Sequence, residues 1–354
     1  MLLQHQERAG DAVGAVIART DYTRRSPFSL GGRGGHKEWH HFCVLGEEIA
    51  LLVNFSLSDD VRPQAARGAE LARLTLLVRG AEWDGDVESF LPDEVVVRGG
   101  RIDLAFGRNT LRFQDGVYRI AVALEDRPVT VALELRPLAM PGVAPNIPLP
   151  DGPPLRWVIV PRLSANGNVT LAGRAYRFAN VLAYHDHNWG HFLWGHSFSW
   201  VWGYSLPLDA RVPWSLAFVR LTNRTRTHAL AQGLFLWKHA WNHRVFLDDH
   251  LELRMDLGHL RPARLFKVPR VMGLLSPETL PDVPRWVEMR AREDGDALRY
   301  RFEARHLAQV VIPSETDLSV TIINEVTGTS TLQGRIGGET IDFRSRAVCE
   351  FLGT

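Results

Sequence analysis

Hydrophobic and polar residues alternate along most of this chain in short segments. From Val129 to Arg136, Val or Leu occupies every second position, and small or polar residues occupy the positions between. A period of two residues is typical of a β-strand with one buried face. Tyr118 to Glu125 precedes this segment, and the turn Asp126-Arg127-Pro128 joins the two. The pattern therefore predicts a β-hairpin.

The same kind of segment recurs through the whole chain. The predicted strands are Glu48–Ser56, Leu71–Val78, Trp157–Leu163, Trp214–Leu221, Leu230–Trp237, His250–Leu257, Trp286–Ala291, Leu298–His306, Leu318–Asn324 and Glu339–Phe351. Glycine-based turns are predicted at Asn166-Gly167, Asp294-Gly295 and Gly337-Gly338. No long segment has clear helical periodicity. We therefore predict an all-β protein built from antiparallel strands as barrels or sandwiches.

Seven of the 20 prolines fall between Pro137 and Pro154. Because proline removes backbone donors and stiffens the chain, this stretch is not expected to form sheet. Two interpretations follow: an interdomain linker near residue 145, or a long loop that crosses one barrel.

Size and charge narrow the class of protein. A chain of 354 residues favours two domains. The formal net charge of +1 provides no basic excess for nucleic-acid binding. No window approaches the ~20 apolar residues of a membrane span, and the first residues lack the features of a secretory signal, so a cytoplasmic protein is expected. Cys43 and Cys349 form no C-x-x-C pair, so a structural zinc is not expected.

Chemistry-bearing side chains concentrate in residues 183–204, which read AYHDHNWGHFLWGHSFSWVWGY. If the first part is extended, alternation places Tyr184, Asp186 and Asn188 on one face and His185 and His187 on the other. Such a density of titratable and aromatic groups makes this stretch the candidate reactive centre.

Asp186 is a candidate general acid. A carboxyl group in an apolar, Trp-lined cavity has its charged form disfavoured, which raises its pKa and lets it hold a proton near neutral pH. Tyr184 and Asn188 could orient it through hydrogen bonds. Protonation of an alkene gives a carbocation, which water captures in a hydration or an internal double bond captures in a cyclisation. Tryptophan faces stabilise such a cation.

Aromatic and polar neighbours could line the cavity that binds an apolar substrate. The candidate substrate-binding residues are Asn188, Trp189, Trp194, Trp200, Trp202, His185 and His187. The other interpretation is that the tryptophans fill a sheet core and that backbone partners satisfy the histidines.

The spacing His185-x-His187 on one strand face also suits two metal ligands, with His191 or His196 as a third. No carboxylate or further ligand stands at a recognised offset, so we predict neither a metal nor a cofactor. A second cluster lies between His36 and His41 and contains Glu38, Trp39 and His40. It could be a site at a rim, an N-terminal cover or a solvated loop.

The stretch from Tyr184 to Gly190 resembles the signature of the carotenoid 1,2-hydratase (hydroxyneurosporene synthase) family, which is related to the AttH-like proteins. The resemblance covers most of residues 155–354, through Pro161-Arg162, Gly167–Gly173, Asn180–Gly190, Trp200-Val201-Trp202 and Gly328–Glu350. Glu38–Phe42 is a weaker match to an early aromatic motif. One departure is that the carotenoid hydratases carry a His and a Trp upstream of the signature strand, where this chain has Trp157 and no His.

The resemblance implies two lipocalin-like β-domains, residues 1–195 and 196–354, with the signature near the end of the first. It therefore favours a loop in the proline-rich stretch. It also implies Asp186 and Tyr184 as the acid positions. Members hydrate acyclic carotenoids, and related proteins are cyclases of terpenoid and polyketide pathways, including Diels–Alder-type pericyclases.

We therefore predict a cofactor-independent hydratase or cyclase that protonates a long apolar isoprenoid or polyene. The substrate is expected in an elongated cleft between the two domains. The alternatives are a pericyclase that works by the shape of its pocket, and a protein that binds such a ligand without transforming it.

Overall fold

The computed structural model describes residues 12–24, 35–58, 72–149, 152–194, 198–256, 260, 265–275, 283–315 and 318–353. Its strands are β1 (His36–Leu45), β2 (Ala50–Ser58), β3 (Ala72–Arg79), β4 (Trp83–Phe90), β5 (Val95–Val97), β6 (Asp103–Phe106), β7 (Asn109–Gln114), β8 (Val117–Ala123), β9 (Val129–Pro137), β10 (Gly142–Leu149), β11 (Gly152–Leu171), β12 (Arg174–His191), β13 (Phe198–Pro207), β14 (Trp214–Asn223), β15 (Ala229–Lys238), β16 (Trp241–Leu247), β17 (Leu251–Met255), β18 (Phe266–Val268), β19 (Trp286–Glu293), β20 (Asp296–Pro313), β21 (Val320–Ile336) and β22 (Glu339–Gly353). The helices are α1 (residues 12–20) and α2 (Val271–Leu275), with 3₁₀ turns at Pro92–Glu94 and Asp248–His250. Strands form 72% of the described residues and helices 7%, which confirms the all-β prediction.

The chain divides into two compact units, each with its own sheet. The first unit contains residues 1–147 and 152–192, and the second contains residues 148–151 and 193–354. The first sheet has 12 strands in the order β4-β3-β2-β1-β12-β11-β9-β8-β7-β6-β5, with β10 beside β11. The second has 10 strands in the order β16-β15-β14-β13-β22-β21-β20-β19-β17, with β18 beside β20. The domain limit predicted at residue 195 falls within residues 195–197, outside the described residues, and stays a prediction.

Alternation along the strands builds the core of the first unit. In β9 every second residue from Val129 to Leu135 is buried, and β9 pairs antiparallel with β8, which confirms the predicted hairpin. Phe42, Val160 and Ala183 extend the same apolar cluster across β1, β11 and β12. One face of these central strands therefore packs on the core, and the side chains that alternate with it lie on the opposite face of the sheet.

Helix α1 was not predicted from the sequence. Val13 and Ile17, one turn apart, are buried against the core cluster of the first unit. Gly14 allows close approach, because a Cβ atom there would lie 3.0 Å from the Cα atom of Gly116. The backbone N–H of Asp21 donates to the carbonyl of Ile17 over 2.8 Å. The helix therefore places Asp21 in the interior of the unit.

The interpretation of the proline-rich stretch as a loop was wrong. Residues Gly142–Leu149 form β10, which pairs with β11 although it contains Pro145 and Pro148. β10 is an edge strand with one neighbour, so a proline whose missing N–H faces away from that neighbour breaks no ladder hydrogen bond.

The prediction of a turn at Asn166-Gly167 was also wrong. Both residues lie inside β11, where the register with β12 shifts between Ala165 and Gly167. Gly167 has φ +140°, and a Cβ atom there would lie 2.1 Å from the carbonyl oxygen of Ala132. The dipeptide therefore forms a β-bulge that only glycine fits. The turns at Asp294-Gly295 and Gly337-Gly338 are confirmed, with positive φ at all four residues.

The second unit has a separate apolar core between its strands. This cluster contains Val201, Phe218, Val326 and Phe351, from β13, β14, β21 and β22. On β13, Val201 alternates with Trp200 and Trp202, so the two tryptophans lie on the other face of the strand. Among the residues described in the two units, no helix has the length and apolar character needed to cross a membrane.

Candidate active site

Strand β12, which carries the signature, lies in the middle of the first sheet. It pairs antiparallel with β1 on one side and with β11 on the other. Asp186 stands between His41 of β1 and Ile159 of β11 in these registers. Asn188 stands between Trp39 and Trp157. Its central position therefore surrounds the signature with side chains from both neighbouring strands.

The carboxyl group of Asp186 is held by the two polar residues on its own face. Tyr184 donates its hydroxyl hydrogen to Oδ2 over 3.0 Å, and Asn188 donates from Nδ2 to Oδ1 over 3.0 Å. Both predicted hydrogen bonds are therefore present. Asp186 is 2% exposed, and both of its cross-strand neighbours, Ile159 and His41, are buried. The buried Trp157 lies opposite Asn188, the next residue on the same face. A carboxyl group held by two hydrogen bonds is thus enclosed by buried side chains, of which Ile159 and Trp157 are apolar.

The opposite face of β12 carries a different structure, a network of buried charges. Both ring nitrogens of His187 face carboxylates, with Nδ1 2.9 Å from Asp21 Oδ1 and Nε2 2.8 Å from Glu38 Oε1. Because a carboxylate is only an acceptor, both nitrogens must donate, and the ring is an imidazolium. We call Asp21, Glu38, His40, His185 and His187 the histidine network.

Asp21 is the centre of the histidine network. His185 Nε2 lies 2.8 Å from Asp21 Oδ2, while His185 Nδ1 lies 2.9 Å from the carbonyl oxygen of His41. Tyr118 donates its hydroxyl hydrogen to the same Oδ2 atom. Asp21 therefore ties α1 to β8 and β12, and the bond from His185 to the His41 backbone ties β12 to β1.

The network keeps its carboxyl groups charged despite complete burial. Burial alone would raise the pKa of Asp21, but the charges and hydrogen bonds of His185 and His187 hold it well below its usual value. For Glu38 the same penalty is exceeded by hydrogen bonds from His187 and His36, so its pKa is also lowered. Two buried carboxylates therefore persist at neutral pH.

The histidines of β1 and β12 differ in charge for the same physical reasons. Burial lowers the pKa of His187, but its hydrogen bonds to Asp21 and Glu38 raise it to about 9. His40 stacks on His187 with ring centroids 4.0 Å apart, and burial and the charge of His187 lower its pKa well below the usual value. Burial lowers the pKa of His41 to about 3. His187 is therefore charged at neutral pH, and His40 and His41 are neutral.

A metal ion would have one candidate position in the described part of the chain. The ligand atoms of Asp21, His40 and His187 lie within 4.8 Å of one another. Sequence spacing does not connect this carboxylate with the site, because Asp21 is 166 positions from His187. However, both nitrogens of His187 already face carboxylates, at 2.9 and 2.8 Å. The arrangement fits hydrogen bonding better than coordination.

The structure separates the predicted substrate-binding residues into three places. Asn188 accompanies Asp186. His185 and His187 lie in the histidine network on the other face, where Trp189 packs against His187 with ring centroids 4.8 Å apart and under the Arg24 guanidinium. Trp194, Trp200 and Trp202 belong to the second unit, in which Trp194 and Trp200 meet edge to face. A substrate-binding role for each of them stays a prediction.

The cluster from His36 to His41 is neither a rim nor a solvated loop. It forms the first half of β1, and Glu38, His40 and His41 are buried. Glu38 and His40 therefore complete the histidine network. Asp21 was missed entirely, although it follows Val13 and Ile17 at the four-residue spacing of one helical face.

Comparison with known proteins places this geometry in a known fold. Neither protein-family models nor curated proteins match the sequence. Solved structures that match the fold include those of three proteins. An AttH protein from Nitrosomonas europaea has 15% identity and a TM-score of 0.60, over 92% of this chain and 96% of its own. CghA, also solved with Sch210972, has 12% identity and a TM-score of 0.61, over 90% and 88%.

The third structure is kievitone hydratase from Nectria haematococca, with 9% identity and a TM-score of 0.58, over 95% of this chain and 94% of its own. All three structures are of the AttH-like family. The chain therefore has the lipocalin-like fold of the AttH-like proteins, as the signature at Tyr184–Gly190 predicts.

Proposed function

We propose that this protein is a hydratase or cyclase of an apolar polyene, with Asp186 as the general acid. The observation that carries the proposal is the buried Asp186 carboxyl group, held by Tyr184 and Asn188 beside Trp157. Two of the proteins that share the fold support this class of reaction. One is named as a hydratase, and CghA is a Diels–Alderase.

The geometry supports proton transfer in three ways. The two hydrogen bonds fix the carboxyl group, so no reorientation is needed when the substrate arrives. Each of them reaches a different oxygen of the carboxyl group, so both oxygens are held. The apolar neighbours Trp157 and Ile159 suit a hydrocarbon chain and, in the case of Trp157, a developing cation.

In the proposed reaction Asp186 transfers its proton to a terminal double bond of the polyene, and the new C–H bond leaves a tertiary carbocation. Water then adds to the cation and loses a proton, or an internal double bond attacks it and closes a ring. Tyr184 positions the carboxyl group through its hydrogen bond. The proton returns to Asp186 from the attacking water or from the cyclised cation.

The test is turnover of an acyclic carotenoid by the wild-type protein and by Asp186→Asn. Asparagine keeps the shape of the side chain but cannot supply the proton, so the rate should fall by roughly 100- to 10,000-fold. Asp103→Asn is the matched control, because Asp103 pairs with Arg98 at the surface of the same unit and should leave the rate unchanged. If Asp186→Asn keeps the wild-type rate, catalysis is directed by shape. If neither protein transforms a polyene that it binds, the protein is a carrier.

A further inference from the structure

The second sheet repeats the strand order of the first around its centre. In the first sheet the order β3-β2-β1-β12-β11 brings the first strand of the unit beside its last strand. In the second sheet β15-β14-β13-β22-β21 does the same. β13 and β22 therefore occupy the places of β1 and β12.

This equivalence extends to individual residues. Asp186 lies on the last strand of its unit and pairs with His41, which follows Trp39 by two residues on the first strand. Glu350 lies on the last strand of its unit and pairs with Trp202, which follows Trp200 by two residues on the first strand. In each unit, the opposite face of these strands carries residues of the apolar core. Glu350 thus stands where Asp186 stands in the first unit.

The surroundings of Glu350 are those of an acid in an aromatic environment. The indole N–H of Trp200 donates to Glu350 Oε1, and Trp202 lies next to Tyr204 with ring centroids 5.7 Å apart. Glu325 of β21, which is 5% exposed, is the direct cross-strand partner of Glu350 and hydrogen-bonds to it.

A hydrogen bond between two carboxyl groups requires one proton, because an ionised carboxylate has no donor. Two ionised carboxylates in contact would also repel each other strongly. Burial raises the pKa of Glu350, which favours the protonated form of the pair. The pair therefore holds a proton on a face built from Trp200, Trp202 and Tyr204.

A second observation points to a ligand at this face. Thr327 follows Glu325 by two residues on β21 and therefore shares its side of the sheet. Its hydroxyl group has no hydrogen-bond partner within the described residues, and Thr327 is only 4% exposed. Buried hydroxyl groups are normally satisfied, so a polar atom from outside the chain is expected there.

We propose that Glu350 and Glu325 form a second acid site, which binds an apolar ligand with a carbonyl or hydroxyl oxygen. One carboxyl proton is donated to that oxygen, and the Trp200 N–H fixes the donor. The site belongs to the second unit and stands independently of the role proposed for Asp186.

The first measurement is the infrared difference spectrum between the wild-type protein and Glu350→Gln at neutral pH. The wild type should have a carbonyl band of a protonated carboxyl group, which shifts in D₂O and is lost in the variant. The same difference should appear when both proteins also carry Asp186→Asn. A missing band would therefore count against the Glu350 site and not against the function proposed for Asp186. Glu339→Gln, at an exposed ion pair with Lys238, is the control that should retain the band.

The second measurement tests access by an apolar molecule. Dicyclohexylcarbodiimide is an apolar reagent to which a protonated carboxyl group adds, O–H across C=N, and no other reactant is needed. Peptide mapping by mass spectrometry should locate the adduct on Glu350 or Glu325. Labelling should be lost in Glu350→Gln and kept in the control Glu339→Gln. Absence of the infrared band would overturn the shared proton, and a band without labelling would overturn the ligand site.

Discussion

The hydroxyl group of Tyr184 donates a hydrogen bond to the carboxyl group of Asp186, two residues later on the same strand. Residues two apart on a strand share a face, so the backbone itself places the donor beside the acceptor. The bond limits rotation of the carboxyl group. In the proposed reaction Tyr184 is therefore a positioning residue.

Tyr184→Phe should slow turnover of the polyene by about 10- to 100-fold, since a hydrogen bond to a charged group contributes roughly 1.5–3 kcal/mol. The loss should appear in kcat, with KM little changed. Tyr176→Phe is the control, because Tyr176 lies on the same strand and packs under Arg174 at its other end. A wild-type kcat in Tyr184→Phe would show that the carboxyl group needs no such positioning.

Stability should fall at alkaline pH because of His187. Its pKa is about 9 in the folded protein and about 6.5 when unfolded. A raised pKa stabilises the fold fully below pH ~6.5, and this contribution, on the order of 3 kcal/mol, is lost as pH rises through about 9. Urea unfolding across this range measures it. His187→Gln should remove the decline, and an unchanged decline in that variant would assign it to other groups.

Asp21→Asn should destabilise the protein by about 3–5 kcal/mol, because it leaves the charges of the histidine network uncompensated in a buried place. Glu134→Gln is the matched control. Glu134 pairs with Arg119 over 3.0 Å, but both side chains are exposed, so its loss should cost less than about 1 kcal/mol. Chemical denaturation compares the two variants. Equal effects would mean that the network contributes no more than a surface ion pair.

The bulge at Gly167 should not tolerate a side chain. Gly167→Ala places a Cβ atom 2.1 Å from the Ala132 carbonyl at φ +140°, which should cost at least about 1–3 kcal/mol. Gly273→Ala, in α2 with nothing within 4 Å, should change the free energy of unfolding by less than about 1 kcal/mol. If both variants unfold at the same denaturant concentration, the bulge relaxes around alanine.

Sequence reasoning predicted the all-β class, many of the strands and which side chains share a face of β12. Period-two alternation depends only on neighbouring residues, so the separation of Tyr184, Asp186 and Asn188 from His185 and His187 could be predicted before the fold was known. Alternation alone left the number of domains open; the expectation of two came from the chain length and from the resemblance of Tyr184–Gly190 to a known signature.

The parts that sequence reasoning missed depend on pairings between distant segments. Asp21 meets His185 only because α1 packs on the core of the first unit, 164 positions away in sequence. Glu325 and Glu350 meet only through the register of β21 and β22. One local sign existed, since Glu350 interrupts the apolar run Ala347–Leu352 at a strand position. Sequence spacing gives no distance between such residues.

The most direct test of Asp186 as an acid is turnover of an acyclic carotenoid in D₂O, with mass spectrometry and NMR of the product. Protonation by Asp186 predicts one solvent deuterium in a new C–D bond, and product formation roughly 100- to 10,000-fold slower with Asp186→Asn. A cyclised product that contains no deuterium, formed equally well by Asp186→Asn, would contradict the account and assign catalysis to the shape of the pocket.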